Sequence, residues 1–551
     1  MKKVFLCIMA LLLVLLPSCV SSPEEQTSSQ APSSSYTEHM EISVAYWNIR
    51  EMASRNDRPD AIQQLIEDRF NISLELTDVS WFDYEDRYNV MAATNSLPDV
   101  FATNMTNGAG ASLASSLKSL VNKKAIRALP EDLSNYPEVQ EVLQMVQGNV
   151  TQLYGKNYTI PRTSFEDQLL SSSDAGLLVR KDWMETLGIS DPQSLEEFHQ
   201  MLVAFVKEDP DGNGRSDTIG LNVNNRQAMG KWVILGIAPE CNVYSWVERD
   251  GEFIPCFVTP EFEPVVSAYR ELYSSGALDP DFHLKKTDDA VLDFVQGKLG
   301  ALEYKSSPSA LSEIVTQWKM YQQKPFEECV KLLHIFPAPD GKRYSNSSSP
   351  AWSESAFSSK VDDEKMDRIL SIYEFLLSEE GWRLTRLGIE GQDYTSSSQE
   401  MSDGNIQIKG FQSLLENTGD GFSQALREKY PSLELFSSLA SWGGNKNDFA
   451  YNDVNVQRYG ESVMELSNEE LSWNRENTIQ IERPFWFYSL LQDGNSSFST
   501  ARMLDDLTRV IIGDGDPVEE WRKIVQGYYA EGLQTYINEK NLLAEEVKNQ
   551  S

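Results

Sequence analysis

The chain has few of the residues on which most catalytic and metal sites depend. Its 551 residues include only four histidines and five cysteines. The histidines, at positions 39, 199, 283 and 334, form no HExxH pair and no evident catalytic triad. Gly108-Ala-Gly110 falls far short of a dinucleotide-binding fingerprint. We therefore expect no catalytic residues, no organic cofactor and no enzymatic activity.

Basic residues are also scarce relative to acidic ones. The chain carries 48 Lys and Arg against 83 Asp and Glu, a formal net charge of −35. This balance argues against a nucleic-acid partner and against direct adhesion to anionic lipid.

A length of 551 residues exceeds what one hydrophobic core supports, and 40% hydrophobic residues are typical of an ordered globular protein. Two or more lobes are expected.

The N-terminus has the pattern of an export signal. Lys2 and Lys3 precede an apolar run, Val4–Leu16, that is too short to span a bilayer. The run leads into Leu16-Pro-Ser-Cys19, which resembles a bacterial lipobox, with Pro17 as the one departure. This resemblance implies removal of residues 1–18 and diacylation of Cys19. The alternative is an ordinary secretory signal with a chance cysteine.

Residues 19–40 are expected to be the lipidated cysteine and a disordered tether, because this stretch is rich in Ser, Pro, Gln and Glu. As a random coil the tether would span roughly 25 Å. Two acyl chains suffice for stable attachment. We therefore expect an exported protein held on the outer face of the bacterial cell membrane by its lipid anchor only.

The segment that follows alternates strands with amphipathic helices. This alternation predicts an α/β fold with a largely parallel sheet. Ligands collect at the carboxyl ends of the strands in such sheets, which here lie near Trp47 and Asn104. The predicted strands are 41–46, 72–79 and 97–101, and the predicted helices are 60–70 and 84–93.

Three further cysteines, Cys241, Cys256 and Cys329, remain in the body of the chain. A predicted hairpin turns at Asp250-Gly251, and its register puts residue 245, not Cys241, opposite Cys256. We therefore expect three separate buried thiols rather than a Cys241–Cys256 disulfide.

An acidic loop between residues 209 and 217 follows the D-x-[DN]-x-[DN]-G pattern of an EF-hand calcium site. Gly220 stands at position twelve, where the bidentate Glu is expected, so further ligands must come from elsewhere. We expect a structural calcium ion, and the alternative is an Asx/Gly turn that caps the preceding helix. The expected ligands are the side chains of Asp209, Asp211, Asn213 and Asp217 and the carbonyl oxygen of Arg215.

Seven phrases along the chain resemble, in order, the family of extracellular solute-binding proteins of carbohydrate ABC importers. The closest resemblance is to its long lipoprotein branch, which is related to alginate-binding proteins. Any one phrase is weak, but the ordered set behind a lipobox is specific. The phrases begin at Leu97 (LPDVF), Leu178 (LVRKDWMETLG), Asp209 (DPDGNGRSDTIGL), Leu272 (LYSSGALDP), Gly297 (GKLGA), Leu387 (LGIEGQDY) and Asp516 (DPVEEW).

The resemblance implies a two-lobed periplasmic-binding-protein-like fold of type II with a hinge between the lobes. It also implies a monomer that binds a carbohydrate, in particular an oligosaccharide, and hands it to ABC transporter permease subunits. We assign 41–161 plus 301–353 to the N-lobe and 162–300 plus 354–551 to the C-lobe. A surface glycan-degrading lipoprotein enzyme and a ligand-presenting sensor subunit stay open as alternatives.

Sugars present flat CH faces and rims of hydroxyl groups, which aromatic and planar polar side chains match. Trp47 is the first choice for a ligand contact because it ends the first strand. Arg162, in the expected hinge, is a candidate for binding a carboxylate or phosphate, with pairing to an acidic side chain as the alternative. The full set of candidates is Trp47, Asn104, Arg162, Trp232, Trp352 and Glu390.

Overall fold

The structure is a computed structural model. It describes residues 36–47, 49, 58–81, 83–104, 117–145, 152–153, 155–163, 168–223, 231–241, 245–345, 351–402, 405–415, 422–441, 453–481 and 502–548. The predicted signal peptide, Cys19 and most of the predicted tether lie outside the described residues.

The strands of the described residues are β1 (Met40–Trp47), β2 (Ile72–Val79), β3 (Val100–Thr103), β4 (Gln152–Leu153), β5 (Lys156–Asn157), β6 (Thr159–Thr163), β7 (Gly176–Arg180), β8 (Ile219–Asn222), β9 (Trp246–Arg249), β10 (Glu252–Pro255), β11 (Leu299–Tyr304), β12 (Val330–Leu332), β13 (Tyr344–Ser345), β14 (Ala351–Phe357), β15 (Tyr394–Thr395), β16 (Ser398–Ser402), β17 (Asn405–Lys409), β18 (Gln412–Ser413) and β19 (Ile479–Gln480).

The α-helices are α1 (Ala61–Phe70), α2 (Tyr84–Ala93), α3 (Leu117–Asn122), α4 (Pro137–Met145), α5 (Lys181–Leu187), α6 (Leu195–Lys207), α7 (Lys231–Leu235), α8 (Glu263–Ser274), α9 (Thr287–Val295), α10 (Pro308–Tyr321), α11 (Phe326–Cys329), α12 (Asp363–Leu377), α13 (Glu379–Leu387), α14 (Phe422–Lys429), α15 (Ser432–Ala440), α16 (Asp453–Tyr459), α17 (Glu461–Asn477), α18 (Met503–Ile512), α19 (Pro517–Ala530) and α20 (Leu533–Lys548). Short 3₁₀ turns occur at Gln168–Asp174, Cys256–Val258 and Pro260–Phe262.

The first sheet has the strand order β2-β1-β3-β14-β6. Strands β1, β2 and β3 are parallel, and β14 runs antiparallel to both β3 and β6. The predicted succession of strand, helix, strand, helix and strand in the first lobe is confirmed, with a largely parallel sheet. Because parallel strands need crossover helices, α1 and α2 lie between consecutive strands of this sheet.

The second sheet has the order β12-β7-β11-β8, in which β7 is antiparallel to both of its neighbours. Alternate residues of β7 enter different cores because side chains of a strand point to opposite faces. Leu177 and Val179 pack with Trp183 and Phe205, whereas Leu178 packs with Phe294. This sheet is therefore covered on both faces.

Two regions of the chain lie in a different lobe from the one that the sequence suggested. Strands β11 and β12, largely within the predicted N-lobe segment 301–353, belong to the second sheet. Helix α12, in the predicted C-lobe segment 354–551, places Met366 and Ile369 in the same core as Val44 of β1. Amphipathic periodicity marks the buried face of a helix but does not identify the sheet that it covers, and the boundaries were wrong for this reason.

The cysteine prediction was also wrong, since Cys241 and Cys256 form a disulfide with their Cα atoms 5.4 Å apart. The predicted hairpin register is correct, because the Cys256 N–H donates to the Ser245 carbonyl at 2.8 Å. Cys241 precedes β9, so the register of the hairpin does not constrain it. Cys329 is a buried free thiol.

In the part of the chain that the structure describes, no helix combines the length and the apolar character needed to cross a membrane.

Candidate ligand-binding site

Strand ends of the first sheet bring several candidate residues to one edge. Trp47 is the last residue of β1 and pairs with Val79, the last residue of β2. One strand further, Thr103 ends β3 and pairs with Glu354 of β14. Asn104 follows Thr103 directly, so it also lies at this edge. The carboxyl ends of β1, β2 and β3 meet here because the three strands are parallel.

Four aromatic rings, Trp47, Trp81, Tyr84 and Trp352, form what we call the tryptophan cluster. The Trp47 ring centroid lies 4.8 Å from that of Trp81, 5.4 Å from Tyr84 and 5.8 Å from Trp352. Trp81 and Trp352 are stacked, with centroids 5.3 Å apart and an interplanar angle of 28°. Trp47 is buried, but Trp81 is 39% exposed. The cluster therefore has a rigid base and an accessible aromatic member.

The irregular course of β14 positions Trp352. The pairing of β14 with β6 shifts register between Ala351 and Glu354. Ser353, within this irregularity, has a φ of 68°, which is uncommon for a residue with a side chain. Such bulges re-aim neighbouring side chains, here at the edge where the tryptophan cluster forms.

Arg162 supports the cluster from beneath. Its side chain is fully buried, and its guanidinium carbon lies 4.9 Å from the ring centroids of both Tyr46 and Trp47. The guanidinium donates to the Ser353 hydroxyl and, at 3.3 Å, to the Ser438 carbonyl. A buried cation over two aromatic faces stabilises their positions. These contacts make Arg162 a support of the aromatic site.

Polar atoms without partners lie at the same edge. Glu354 is buried and accepts a hydrogen bond from the Thr103 hydroxyl. Trp47 Nε1 and Asn104 Oδ1 are buried and have no hydrogen-bond partner among the described residues. Because buried polar groups are nearly always paired, a ligand or water is the expected partner of these two atoms.

The structure does not bring Trp232 to this cluster. Trp232 lies in α7 in the second lobe and is 1% exposed. Its ring packs against Phe336 and Phe198, with centroids 4.9 Å and 5.6 Å away. Its backbone N–H donates to Glu303 Oε1 at 3.0 Å. Trp232 therefore packs in the core of the second lobe.

The described contacts of Glu390 also include no residue of the tryptophan cluster. It is exposed, follows α13, and accepts from Arg383 Nη2 at 2.8 Å and from the Ser396 hydroxyl at 2.6 Å. These bonds brace the turn between α13 and β15.

Sequence reasoning selected Trp47 and Trp352 but did not select Trp81, Tyr84 or Glu354. A usable signal for Trp81 was present, because it lies only two residues after the end of β2. Glu354 carried no such signal, since its burial depends on the pairing of β14 with strands far away in the sequence.

The acidic loop follows α6 in the second lobe. Asn213 connects its carboxylates: its side-chain Nδ2 donates to Asp211 Oδ2 at 2.7 Å and to Asp217 Oδ1 at 3.0 Å. The backbone N–H groups of Asn213 and Gly214 donate to Asp209 at 3.2 Å and 2.9 Å. Hydrogen bonds therefore link four of the five expected ligands to one another. The Arg215 N–H donates to Asn213 Oδ1 at 2.8 Å.

The donor set of the loop fits a hard cation, but its present arrangement is incomplete. Burial is the main cause that raises the pKa of Asp211, followed by a hydrogen bond with Asp209 and by the charges of Asp209 and Asp217. Carboxylate groups this close together favour the binding of a cation, because it neutralises their negative charges. Within the described residues, however, no group of three or more His, Cys, Asp or Glu side chains is arranged to hold a metal ion.

Packing explains why the loop lacks the closing Glu at position twelve. A Cβ atom at Gly220 would lie 2.4 Å from the Ala277 carbonyl oxygen. The adjacent Leu221 N–H donates to the same oxygen at 2.8 Å, which fixes the close approach. No larger residue fits at Gly220 unless the backbone moves, so any cation here would need other oxygen ligands.

Two proteins of Bacillus subtilis are similar to this chain in sequence. The chain is 25% identical over 409 residues to the polygalacturonan/rhamnogalacturonan-binding protein YtcQ of Bacillus subtilis, a match that covers 69% of this chain and 78% of YtcQ. It is 27% identical over 341 residues to the lipoprotein LipO of the same organism, covering 60% of this chain and 62% of LipO. No protein-family model matches the chain.

Solved structures with the same fold are two-lobed solute-binding proteins. The ABC-transporter substrate-binding protein FusA of S. pneumoniae, solved in complex with kestose, has a TM-score of 0.64 at 15% identity and covers 93% of this chain and 100% of FusA. The alginate-binding protein AlgQ2, solved without calcium ion, has a TM-score of 0.64 at 12% identity and covers 94% of this chain and 100% of AlgQ2. The chain is therefore similar in sequence to YtcQ and LipO, and it shares its two-lobed α/β fold with these solute-binding proteins.

Proposed function

We propose that the protein captures a carbohydrate and delivers it to the permease subunits of an ABC importer. The observation that carries the proposal is the tryptophan cluster, whose exposed member Trp81 is stacked on Trp352 at a strand-end edge. Flat aromatic faces beside unpaired polar atoms are complementary to a sugar ring with its hydroxyl groups. The names of YtcQ and FusA, a polygalacturonan-binding protein and a kestose complex, support a carbohydrate ligand.

The proposed ligand is an oligosaccharide, and the proposed mechanism is hinge closure without a catalytic step. Ligand contacts from both lobes would favour the closed state, and the permease would recognise that state. The protein acts as a monomer, held by a lipid on Cys19 to the outer face of the cell membrane. The lipoprotein LipO among its relatives supports this anchoring.

We also propose a structural calcium ion at the acidic loop. Asp209, Asp211, Asn213 and Asp217 would hold it, and a divalent charge there would neutralise the crowded carboxylates. The hydrogen bonds that link these side chains support the site, and the structure of AlgQ2 solved without calcium ion is consistent with it. The role of the ion is to stabilise the loop.

A thermal-shift screen against glycans tests the proposed function. The panel contains kestose, galacturonan oligomers and rhamnogalacturonan oligomers, with calcium present throughout. A ligand that binds only the folded protein raises the melting temperature by mass action. We expect at least one glycan to raise it in a concentration-dependent manner and to be recovered intact. Consumption of the glycan would refute the receptor function and favour an enzyme.

Trp81→Ala tests the tryptophan cluster with any glycan that binds. Loss of one stacking face should cost about 2 kcal/mol of binding free energy by area burial, or roughly a 30-fold increase in Kd. Isothermal titration calorimetry measures the change. Tyr529→Ala is the matched control, because Tyr529 is 40% exposed and lies on α19, away from the cluster. Equal affinities of both variants would contradict the assignment of this site.

A further inference from the structure

A cavity of about 480 Å³ lies along the outer edge of the second sheet. Its walls are the edge strand β12 with the residues that follow it, the loop after α5, Arg343, and one face of α17. None of the four residues of the tryptophan cluster lines it. Its volume lies within the usual range for small-molecule sites, about 300–1,000 Å³.

Two stacked planar side chains form part of the wall. The His334 and Trp473 rings are nearly parallel, at an interplanar angle of 3° with centroids 4.0 Å apart. Glu470, buried one turn before Trp473, accepts from His334 Nδ1 at 3.0 Å and from Asn474 Nδ2 at 3.2 Å. These bonds hold the stack in place before any ligand arrives, which lowers the entropic cost of binding.

Arg343 also lies over the Trp473 ring. Its guanidinium carbon lies 5.8 Å from the Trp473 ring centroid, and its Nε donates to the Ile335 carbonyl at 3.1 Å. The Ile335 contact orients the guanidinium at the cavity wall. A fixed guanidinium beside aromatic rings can donate hydrogen bonds to hydroxyl oxygens.

The charges of the residues that line the cavity indicate the class of ligand. The lining contains three basic side chains, Lys181, Lys331 and Arg343, and three acidic ones, Asp191, Glu469 and Glu470. Lys331 is paired with Asp191, and Glu470 is engaged with His334. Three basic and three acidic side chains balance in formal charge, so they provide no net attraction for an ion but supply both donors and acceptors. A neutral polyhydroxylated ring uses both.

We propose that this cavity binds one neutral glycosyl unit and does so independently of the tryptophan cluster. The inference rests on the proposed function and deepens it, because it gives the position and the charge class of a carbohydrate contact on the second lobe. A glycan engaged at both sites would gain avidity over either site alone.

Fluorine NMR of the full chain labelled with 5-fluorotryptophan tests the proposal. The Trp473 resonance is assigned by its loss in Trp473→Phe. The probes are methyl β-D-galactopyranoside and, as an anionic comparison, sodium galacturonate. We expect a saturable shift of the Trp473 resonance with the neutral glycoside and a weaker response to galacturonate. The same shift should persist in Trp81→Ala. The result can therefore be interpreted even if the tryptophan cluster binds no glycan.

Arg343→Met should weaken the neutral glycoside about tenfold, the loss expected for a hydrogen bond from a charged donor. Arg475→Met is the matched control, because Arg475 is exposed on the same helix as Trp473 but does not line the cavity. The proposal is overturned if the Trp473 resonance shows no saturable shift, if galacturonate binds more tightly, or if Trp81→Ala abolishes the shift.

Discussion

Glu303 is a single carboxyl group whose ionisation bears on the stability of the second lobe. It lies near the end of β11, is 7% exposed, and accepts from the Trp232 N–H. Burial raises its pKa to about 8, although the Trp232 N–H and the charge of Lys231 act in the opposite direction. Its nearby negative charge is in turn a secondary cause, after burial, of the raised pKa of Tyr269.

The raised pKa of Glu303 predicts a loss of stability as the pH rises. In the unfolded chain the carboxyl ionises near its usual pKa of about 4.3, so between that pH and 8 only the folded state keeps the proton. The free energy of unfolding should therefore fall by at most about 1.4 kcal/mol per pH unit across this window. Urea unfolding at several pH values measures the slope.

Glu303→Gln removes this titration while keeping the size of the side chain. The part of the pH dependence of unfolding that Glu303 causes between pH 5 and 8 should be absent in this variant. The variant should also be more stable than the wild type at pH 8. Parallel slopes for both proteins would show that Glu303 is already ionised in the folded state.

Trp47 and Trp232 show which ligand-contact residues could be predicted from the sequence. Trp47 was selected because it ends β1, and it lies within the tryptophan cluster. Trp232 was selected by residue type, and it is buried among Phe198 and Phe336. A strand end is a position that topology exposes at an edge, whereas residue type alone does not distinguish a binding face from a core.

Among the structural elements, the acidic loop combines a local signal with a tertiary constraint. Its turn requires positive φ at Gly212 and Gly214, 68° and 76°, which the sequence pattern anticipates. The exclusion of a closing side chain at Gly220 depends on the neighbouring Ala277 carbonyl, which the sequence does not reveal.

Calcium should raise the melting temperature of the protein and EDTA should lower it. At a calcium concentration 100 times Kd the gain is about 2.7 kcal/mol. Asp211→Asn should abolish most of the calcium response, measured by differential scanning calorimetry. Asp250→Asn is the control, an exposed aspartate in the hairpin turn. Identical melting temperatures of the wild type in calcium and in EDTA would exclude a stabilising calcium ion.

The disulfide clamps the hairpin of β9 and β10 to the segment after α7. It closes a loop across 15 residues, for which chain entropy predicts about 3 kcal/mol of stabilisation. The double variant Cys241→Ser and Cys256→Ser should lose about this much in chemical unfolding. Cys329→Ala, which removes a buried sulfur without a cross-link, should lose less. A double variant as stable as Cys329→Ala would contradict a closed disulfide in the native protein.

For the whole molecule, two sheets with separate cores are joined by segments that cross between them. The chain passes from β6 to β7, returns from β12 to β14, and crosses again after α15, since Val454 and Val463 belong to different cores.

Small-angle scattering should show a smaller radius of gyration when a binding glycan is added, because closure brings the lobes together. Trp81→Ala at the same glycan concentration should keep the larger radius. An unchanged radius at saturation would argue against closure.

The sequence by itself determined the local architecture: the alternating strands and helices of the first lobe and the turn of the acidic loop. These features depend on residues within a few positions of one another, so a single chain displays them. Tertiary structure alone decided which tryptophans meet, that Cys241 reaches Cys256, and that α12 covers the first sheet. Such contacts join residues far apart in sequence, and only the packing of the whole chain brings them together.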